Sequence, residues 1–416
     1  MLYNLQTLKL GRRFHLPKNL RKLVRLRHLN FSFLPNFPSQ MPLHMSRLIH
    51  LQTLPEYIVG YGKGRKIEEL GPLNDLKGSL RLFSLKRVRS KEEAIAAKLM
   101  GKKNLRKLTL NWSTNFFEKD SNHNDMEVLE GLQPHNNLQS LSILHFAGQV
   151  LPNGVFVENL VAIVLQKCSK CEMLPMLGQL PNLEDLKISH MSSVRSIDRE
   201  FYGNYGSKQS VCFPKLRKLS FSFMEKLVQW VEVSNGIAFP HLESLSMDTC
   251  SKLRSVPDHF VSLRTLTIDG CEGLKKFPSK LECCISIASV KIFDCPNLRL
   301  NVHNMWNLKE IEIGGCMEEY DFSSLMHQSS VTNLCLTDTS RKAIQVPRQL
   351  QHLTTLKALT IKHFNGVEAL PEWLEKLTNL ETLEVSCCEN LKRLPSRQAM
   401  LRVWGMKYPR HVEDSY

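Results

Sequence analysis

The residues with the most chemistry to offer are twelve cysteines. Cys168-Ser-Lys-Cys171 has the spacing with which two thiolates hold zinc. Yet Cys168, Cys250, Cys271, Cys295, Cys316 and Cys388 share one place, the ninth, in a pattern that recurs along the chain, and Cys171 falls on the twelfth. Small side chains at fixed places in a repeated coil read as packing thiols rather than metal ligands. The adjacent pairs Cys283-Cys284 and Cys387-Cys388 read the same way. Gly60-Tyr-Gly62-Lys63-Gly64 is glycine-rich but lacks the Gly-x4-Gly-Lys-Ser/Thr order that cradles phosphates, so it reads as a turn. No His-Glu-x-x-His or Gly-x-Ser-x-Gly motif occurs, and the fifteen histidines are scattered. The sequence therefore offers no catalytic, metal or cofactor-binding residues, and it reads as a non-enzyme.

Charge is the sharper signal. The chain has 416 residues and a net charge of +15. Residues 1–110 hold 23 Lys+Arg against 6 Asp+Glu, and the remainder holds 32 against 34. A basic end on a neutral body points to one acidic partner at that end. Arg12, Arg13, Lys18, Arg21, Lys22, Arg25 and Arg27 come first, followed by Lys63, Arg65 and Lys66. Lys86, Arg87, Arg89, Lys102, Lys103, Arg106 and Lys107 complete the cluster. Aromatic residues are not interleaved with these charges, which argues against nucleic acid. No run of about 18 apolar residues suggests a membrane span. No secretory signal pattern opens the sequence, so a cytoplasmic or nuclear location with reduced thiols is expected. The sequons at Asn30 and Asn111 are discounted on the same ground.

The elements that must position these side chains are set by a repeat, L-x-x-L-x-L-x-x-C-x-x-L-x-x-L-P. Leu242-Leu245-Met247-Cys250-Leu253-Val256-Pro257 is a good copy. The others are Leu263-Leu266-Ile268-Cys271-Leu274-Phe277-Pro278 and Leu380-Leu383-Val385-Cys388-Leu391-Leu394-Pro395. Leu356-Leu359-Ile361-Phe364-Val367-Leu370-Pro371 has Phe at the ninth place. Further copies begin at Leu5, Leu26, Leu105, Leu138, Leu160, Leu183, Leu216, Ile287, Leu308 and Val331, with degenerate ones near Leu51 and Leu80. About sixteen copies start 21 to 33 residues apart, the interval of leucine-rich repeats.

Alternation sends the fourth and sixth side chains into a core and the third, fifth and seventh outward. The expected fold is α/β, a leucine-rich-repeat solenoid. It would be a curved horseshoe with a parallel sheet on its concave face and irregular loops and short helices on its convex face. The expectation is one continuous solenoid over 1–416. Within it, 1–110 holds basic repeats, 111–240 middle repeats with loop insertions, 241–403 regular repeats and 404–416 a polar tail. Residues 90–100 read as a short helix capped by Ser90 with Glu93 in a capping box. Residues 125–132 read as a helical turn, and 114–124 and 199–210 as loops. Repeat material starts at Leu2, so the reading expects further residues upstream.

The concave face is the default binding surface. It should present Ser246, Asp248, Thr267, Asp269, Lys291, Phe293, Glu310, Glu312, Thr337, Lys362, His363, Glu384 and Ser386. This polar mixture with one aromatic suits a protein partner better than a small apolar ligand.

Longer motifs carry a resemblance. Residues 51–60 read LQTLPEYIVG, 67–80 IEELGPLNDLKGSL, 92–110 EEAIAAKLMGKKNLRKLTL, 128–141 VLEGLQPHNNLQSL and 171–186 CEMLPMLGQLPNLEDL, with Glu200-Phe-Tyr-Gly203 beyond. In these the chain resembles the leucine-rich-repeat region of plant intracellular immune receptors of the coiled-coil, nucleotide-binding class. The resemblance implies recognition and autoinhibition in plant defence. The early basic repeats would dock on the receptor's own nucleotide-binding domain. Later repeats would sense a pathogen effector or a guarded host protein. The phosphate-binding and helical signalling motifs of that class do not occur here, so a non-functional receptor fragment is one alternative. The substrate-binding arm of a ubiquitin ligase is another.

Overall fold

A computed structural model of the chain describes residues 2, 4–11, 16–32, 40–113, 124–203, 211–232, 237–257, 260–276, 286–299, 302, 305–317 and 320–395. The chain divides into two compact units, Met1–His241 and Leu242–Tyr416.

The first unit is built from short strands separated by one coil each. They are β1 (Thr7–Lys9), β2 (His28–Asn30), β3 (Glu56–Ile58), β4 (Lys77–Phe83), β5 (Asn104–Asn111), β6 (Ser140–Leu144), β7 (Ala162–Gln166) and β8 (Asp185–Ser189). Then follow β9 (Ser196–Ile197), β10 (Val211–Cys212), β11 (Lys218–Ser222), β12 (Gln229–Trp230) and β13 (Ile237–Ala238). Strands β3 to β8 and then β11 pair side by side in parallel. Strands β1 and β2 form a separate parallel pair, as do β9 with β12 and β10 with β13.

The second unit repeats the plan with β14 (Ser244–Asp248), β15 (Thr265–Asp269), β16 (Ser289–Phe293), β17 (Glu310–Gly315), β18 (Asn333–Asp338), β19 (Ala358–Lys362) and β20 (Thr382–Ser386). Each pairs in parallel with the next. Both units are therefore leucine-rich-repeat solenoids in which each coil contributes one strand.

The alternation expected from the repeat is visible residue by residue. In β14, β15, β16 and β19 the second and fourth residues are buried and the flanking three are half-exposed. Leu245, Leu266, Val290, Ile311, Leu334 and Leu359 stack in register as one buried row, and Met247, Ile268, Ile292, Ile313, Leu336 and Ile361 as the next. A fully buried Leu or Ile contributes about 1.5–3 kcal/mol relative to exposure, but only a neighbouring coil can cover it. Stability is thus a property of the stack.

After each strand the chain must turn sharply away. The eighth place does this with a left-handed residue: φ is 57° at His145, 56° at Lys167, 54° at His190, 50° at Thr249, 58° at Gly270 and 62° at His363. The ninth residue then opens a tight turn. Leu253, Leu274 and Leu298 at the twelfth place donate N–H to the carbonyls of Cys250, Cys271 and Cys295 at 3.0–3.1 Å. Cys250, Cys271 and Cys295 are fully buried, and the Cys271 N–H donates to Cys295 Sγ at 3.4 Å. Cys171 donates its thiol to Gly148 O at 3.2 Å. These thiols act as small buried side chains at the turn, a place that Phe364 fills with a ring in another copy. Cys283 and Cys284 lie outside the described residues.

Proline starts the return path. Pro347 and Pro371 precede the 3-10 helices Arg348–His352 and Glu372–Lys376, where their fixed φ fits and their missing N–H costs nothing.

The capping box at Ser90 forms. Glu93 N–H donates to Ser90 Oγ at 3.3 Å, and Arg89 N–H donates to Glu93 Oε2 at 3.0 Å. It begins helix α1 (Lys91–Ile95), which packs on α2 (Asp125–Gly131). Most of the expected loop 114–124 lies outside the described residues.

The loop expected over 199–210 is corrected in its first part. Arg199–Tyr202 form a helical turn, α3, and Phe201 and Tyr202 are buried. They join Phe213, Phe221, Trp230 and Phe239 in an aromatic cluster with ring centroids 4.9–6.4 Å apart. Tyr202 Oη accepts from Trp230 Nε1 at 2.7 Å and donates to Val231 O at 3.1 Å. Gly178 lies against this turn: a Cβ there would overlap the Tyr202 carbonyl.

Candidate protein-binding surfaces

The sheet of the second unit presents its odd residues in three outward rows. The first runs Ser244, Thr265, Ser289, Glu310, Asn333, Ala358 and Thr382. The second runs Ser246, Thr267, Lys291, Glu312, Cys335, Thr360 and Glu384. The third runs Asp248, Asp269, Phe293, Gly314, Thr337, Lys362 and Ser386. Twelve of the thirteen residues expected on this face stand in those rows, and His363 follows directly on Lys362. Sequence reasoning passed over Cys335, Thr360 and Gly314, although the same repeat arithmetic places them.

The face is electrostatically organised at its centre. Lys291 Nζ lies 3.0 Å from Glu312 Oε2 and 3.6 Å from Glu310 Oε1, and Ser289 Oγ donates to Glu310 Oε2 at 2.9 Å. Hydrogen bonding to Glu312 holds the Lys291 ammonium above the usual lysine range. Like charges act on Asp269. After burial, its largest influences are Asp248 and Asp294, and they raise its carboxyl above the ordinary value.

The basic residues of the first unit separate into different settings. Arg21 and Lys22 lie on a 3-10 turn, and Arg25 and Arg27 lead into β2. Arg25 Nη1 donates to Asn4 Oδ1 at 3.1 Å. Lys103, Arg106 and Lys107 stand exposed at the entry to β5. Lys86, Arg87 and Arg89 instead follow β4 and so sit beyond the opposite ends of the strands. Arg87 is tethered, donating to Val59 O at 3.0 Å with its guanidinium over the Tyr61 ring at 4.4 Å. Arg12 and Arg13 lie outside the described residues.

Lys102 is a correction. It is 0% exposed, and its Nζ donates to Leu70 O at 2.8 Å and Leu73 O at 3.0 Å. Leu70 ends the 3-10 helix Ile67–Leu70 and Leu73 follows in the next turn, so the lysine caps the preceding coil instead of facing a partner. Burial lowers its ammonium to about 8.

The Gly60–Gly64 segment is a turn: φ is 83° at Gly62 and 85° at Gly64, and Tyr57 Oη donates to Lys66 O beside it at 2.8 Å. Among the described residues no cluster of His, Cys, Asp or Glu could hold a metal ion, and no helix is long and apolar enough to cross a membrane.

A row of polar residues just before the first leucine was not foreseen. Asn137, Asn159 and Asn182 donate Nδ2–H to the carbonyls of Lys103, Asn136 and Glu158 in the coil before, at 2.9–3.2 Å. Asn379 does the same to Thr354 O. These bonds staple neighbouring coils at the edge of the sheet. The signal was the recurring Asn-Leu dipeptide.

Known proteins bear on what this scaffold is. The R13L1/DRL21 leucine-rich-repeat family model matches residues 67–191 and 318–403. Putative disease resistance RPP13-like protein 1 of Arabidopsis thaliana is 30% identical over 346 residues, covering 79% of this chain and 31% of that protein. Disease resistance protein RGA2 of Solanum bulbocastanum is 32% identical over 262 residues, covering 56% of this chain and 27% of that protein. The chain thus spans less than a third of the length of either relative. Among solved structures, a leucine-rich-repeat protein of Leptospira interrogans aligns with a TM-score of 0.44 at 16% identity, covering 95% of this chain and 97% of that one. With the family model matching just over half of its residues, this chain belongs to the R13L1/DRL21 leucine-rich-repeat family, whose repeats it shares with plant disease resistance proteins.

Proposed function

We propose that this chain is a recognition and autoinhibition module of a plant intracellular immune receptor, binding proteins rather than catalysing a reaction. The observation that carries the reading is the outward face of the second unit. It is a broad polar sheet surface with one aromatic, and its rows leave Asp, Glu, Lys, Thr and Ser side chains within reach of a partner. Such a surface suits a pathogen effector or a guarded host protein. In this reading the chain works in the cytoplasm, with the nucleus as a second site of action.

The first unit would dock on the nucleotide-binding domain of the same or a related receptor. Arg21, Lys22, Arg25, Arg27, Lys103, Arg106 and Lys107 supply the charge for an acidic surface. Long-range attraction of this kind sets encounter rate and partner choice, and salt weakens it.

The test is charge reversal. Glu at Arg21, Lys22, Arg25 and Arg27 together should weaken binding to a nucleotide-binding module supplied in trans by about tenfold at low salt, the scale of several exposed ion pairs at about 0.2–1 kcal/mol each. Unchanged affinity at low salt would remove the docking role.

A further inference from the structure

Phe293 stands in the outward row of β16, with Asp269 on one side and Gly314 on the other. Gly314 shapes what the ring can do. A Cβ there would overlap Cδ1 of Phe293 and come within 2.9 Å of Cε1. The ring therefore leans over the neighbouring strand and stays half-exposed. Asp269 and Asp248 continue the same row, one and two strands away, at about 4.8 Å per step. Asp294 follows the ring in sequence.

These carboxylates are held by neutral groups. Asp248 accepts from Thr249 Oγ1 at 2.7 Å, and Asp294 accepts from Thr339 Oγ1 at 2.9 Å. Lys291, on the same strand as Phe293, is committed to Glu312 and Glu310. An aromatic surface thus lies in line with carboxylates whose strongest charged influences on Asp269 are each other.

We propose that this row is a subsite for an arginine side chain of a protein partner, its guanidinium over Phe293 and its N–H groups paired with Asp269, with Asp248 one strand further adding negative charge behind it. Arginine fits better than lysine because its plane stacks on a ring while its fork meets carboxylates. The inference rests on the recognition reading and narrows it to a partner segment that presents arginine.

The test uses the full chain and a fluorescent acetyl-Gly-Arg-Gly-Arg-Gly-amide peptide, with the lysine counterpart beside it, measured by anisotropy at low salt. The arginine peptide should bind more tightly. Asp248→Asn with Asp269→Asn should weaken it about tenfold, and Phe293→Leu about fivefold, the scale of lost exposed ion pairs and one cation–π contact. Gly314→Ala keeps every charge but displaces the ring, so it should weaken the arginine peptide and spare the lysine one. Circular dichroism checks that each variant is folded. Equal affinity for the two peptides, or full arginine binding in the double Asn variant, overturns the proposal. Docking of a nucleotide-binding module should survive in that variant. Lost docking upon charge reversal in the first unit, together with absent peptide binding, would fail this subsite and leave the recognition reading intact.

Discussion

Lys102 makes the structure answerable to a titration. Its ammonium is enclosed and donates to two backbone carbonyls, at 2.8 and 3.0 Å. Burial first, and Lys98 second, lower it from 10.5 to about 8. Below pH 8 both folded and unfolded chains carry the proton. Between 8 and 10.5 the unfolded chain keeps it and the folded chain has lost it, so stability rises with pH across that window. A difference of this size is worth about 3 kcal/mol in full, and about 2 kcal/mol of it falls between pH 8 and 10.

Tyr57 acts in the opposite direction at higher pH. Burial, then Glu69 and Glu68, raise its phenol, so ionisation above its ordinary value of 10 favours the unfolded chain. Stability should therefore peak near pH 10. Urea unfolding at pH 7.5, 8, 9 and 10 measures this directly. The natural chain should gain about 2 kcal/mol from pH 8 to 10, while Lys102→Met should stay nearly flat. Parallel curves for the two proteins would refute the buried lysine.

Other perturbations test the coils themselves. Leu266→Ala should cost about 2–5 kcal/mol, while Thr267→Ala, next in sequence but outward, should stay within about 0.5 kcal/mol; comparable losses in chemical unfolding would contradict the alternation. Tyr202→Phe removes the acceptor of the Trp230 indole N–H and should cost about 1–3 kcal/mol with a change in tryptophan emission. An unchanged spectrum and midpoint would mean that the bond is absent. Gly178→Ala drives a methyl into the Tyr202 carbonyl and should lower stability by about 1–3 kcal/mol. A neutral result in thermal melts would show that α3 does not pack there.

What the sequence made legible was whatever depends on one coil. Leu245 and Met247 announce their burial through period-two spacing, and Cys250 and Cys271 through their fixed place after it. Ser90 and Glu93 announce a helix start because both partners lie within one turn. What stayed hidden depends on two coils together. Lys102 reads as surface because lysine usually is, and only the carbonyls of Leu70 and Leu73 in the preceding coil make it a cap. Phe201 and Tyr202 are followed by Gly, Asn and Ser residues that suggest a loop, but the rings of Phe213, Phe239 and Trp230 give them a core. The candidate face was readable as a set of positions. The ring of Phe293 leaning over Gly314 was not, because cross-strand register decides it.

In the proposed reading, the basic edge of the first unit docks on a receptor nucleotide-binding module. Hydrogen exchange of the full chain, with and without a receptor nucleotide-binding module, would examine it most directly. Slowed exchange around residues 21–27 and 103–107, lost as salt is raised, is the predicted outcome. Exchange that is the same in both samples throughout those segments, at a module concentration that saturates any binding, would contradict it.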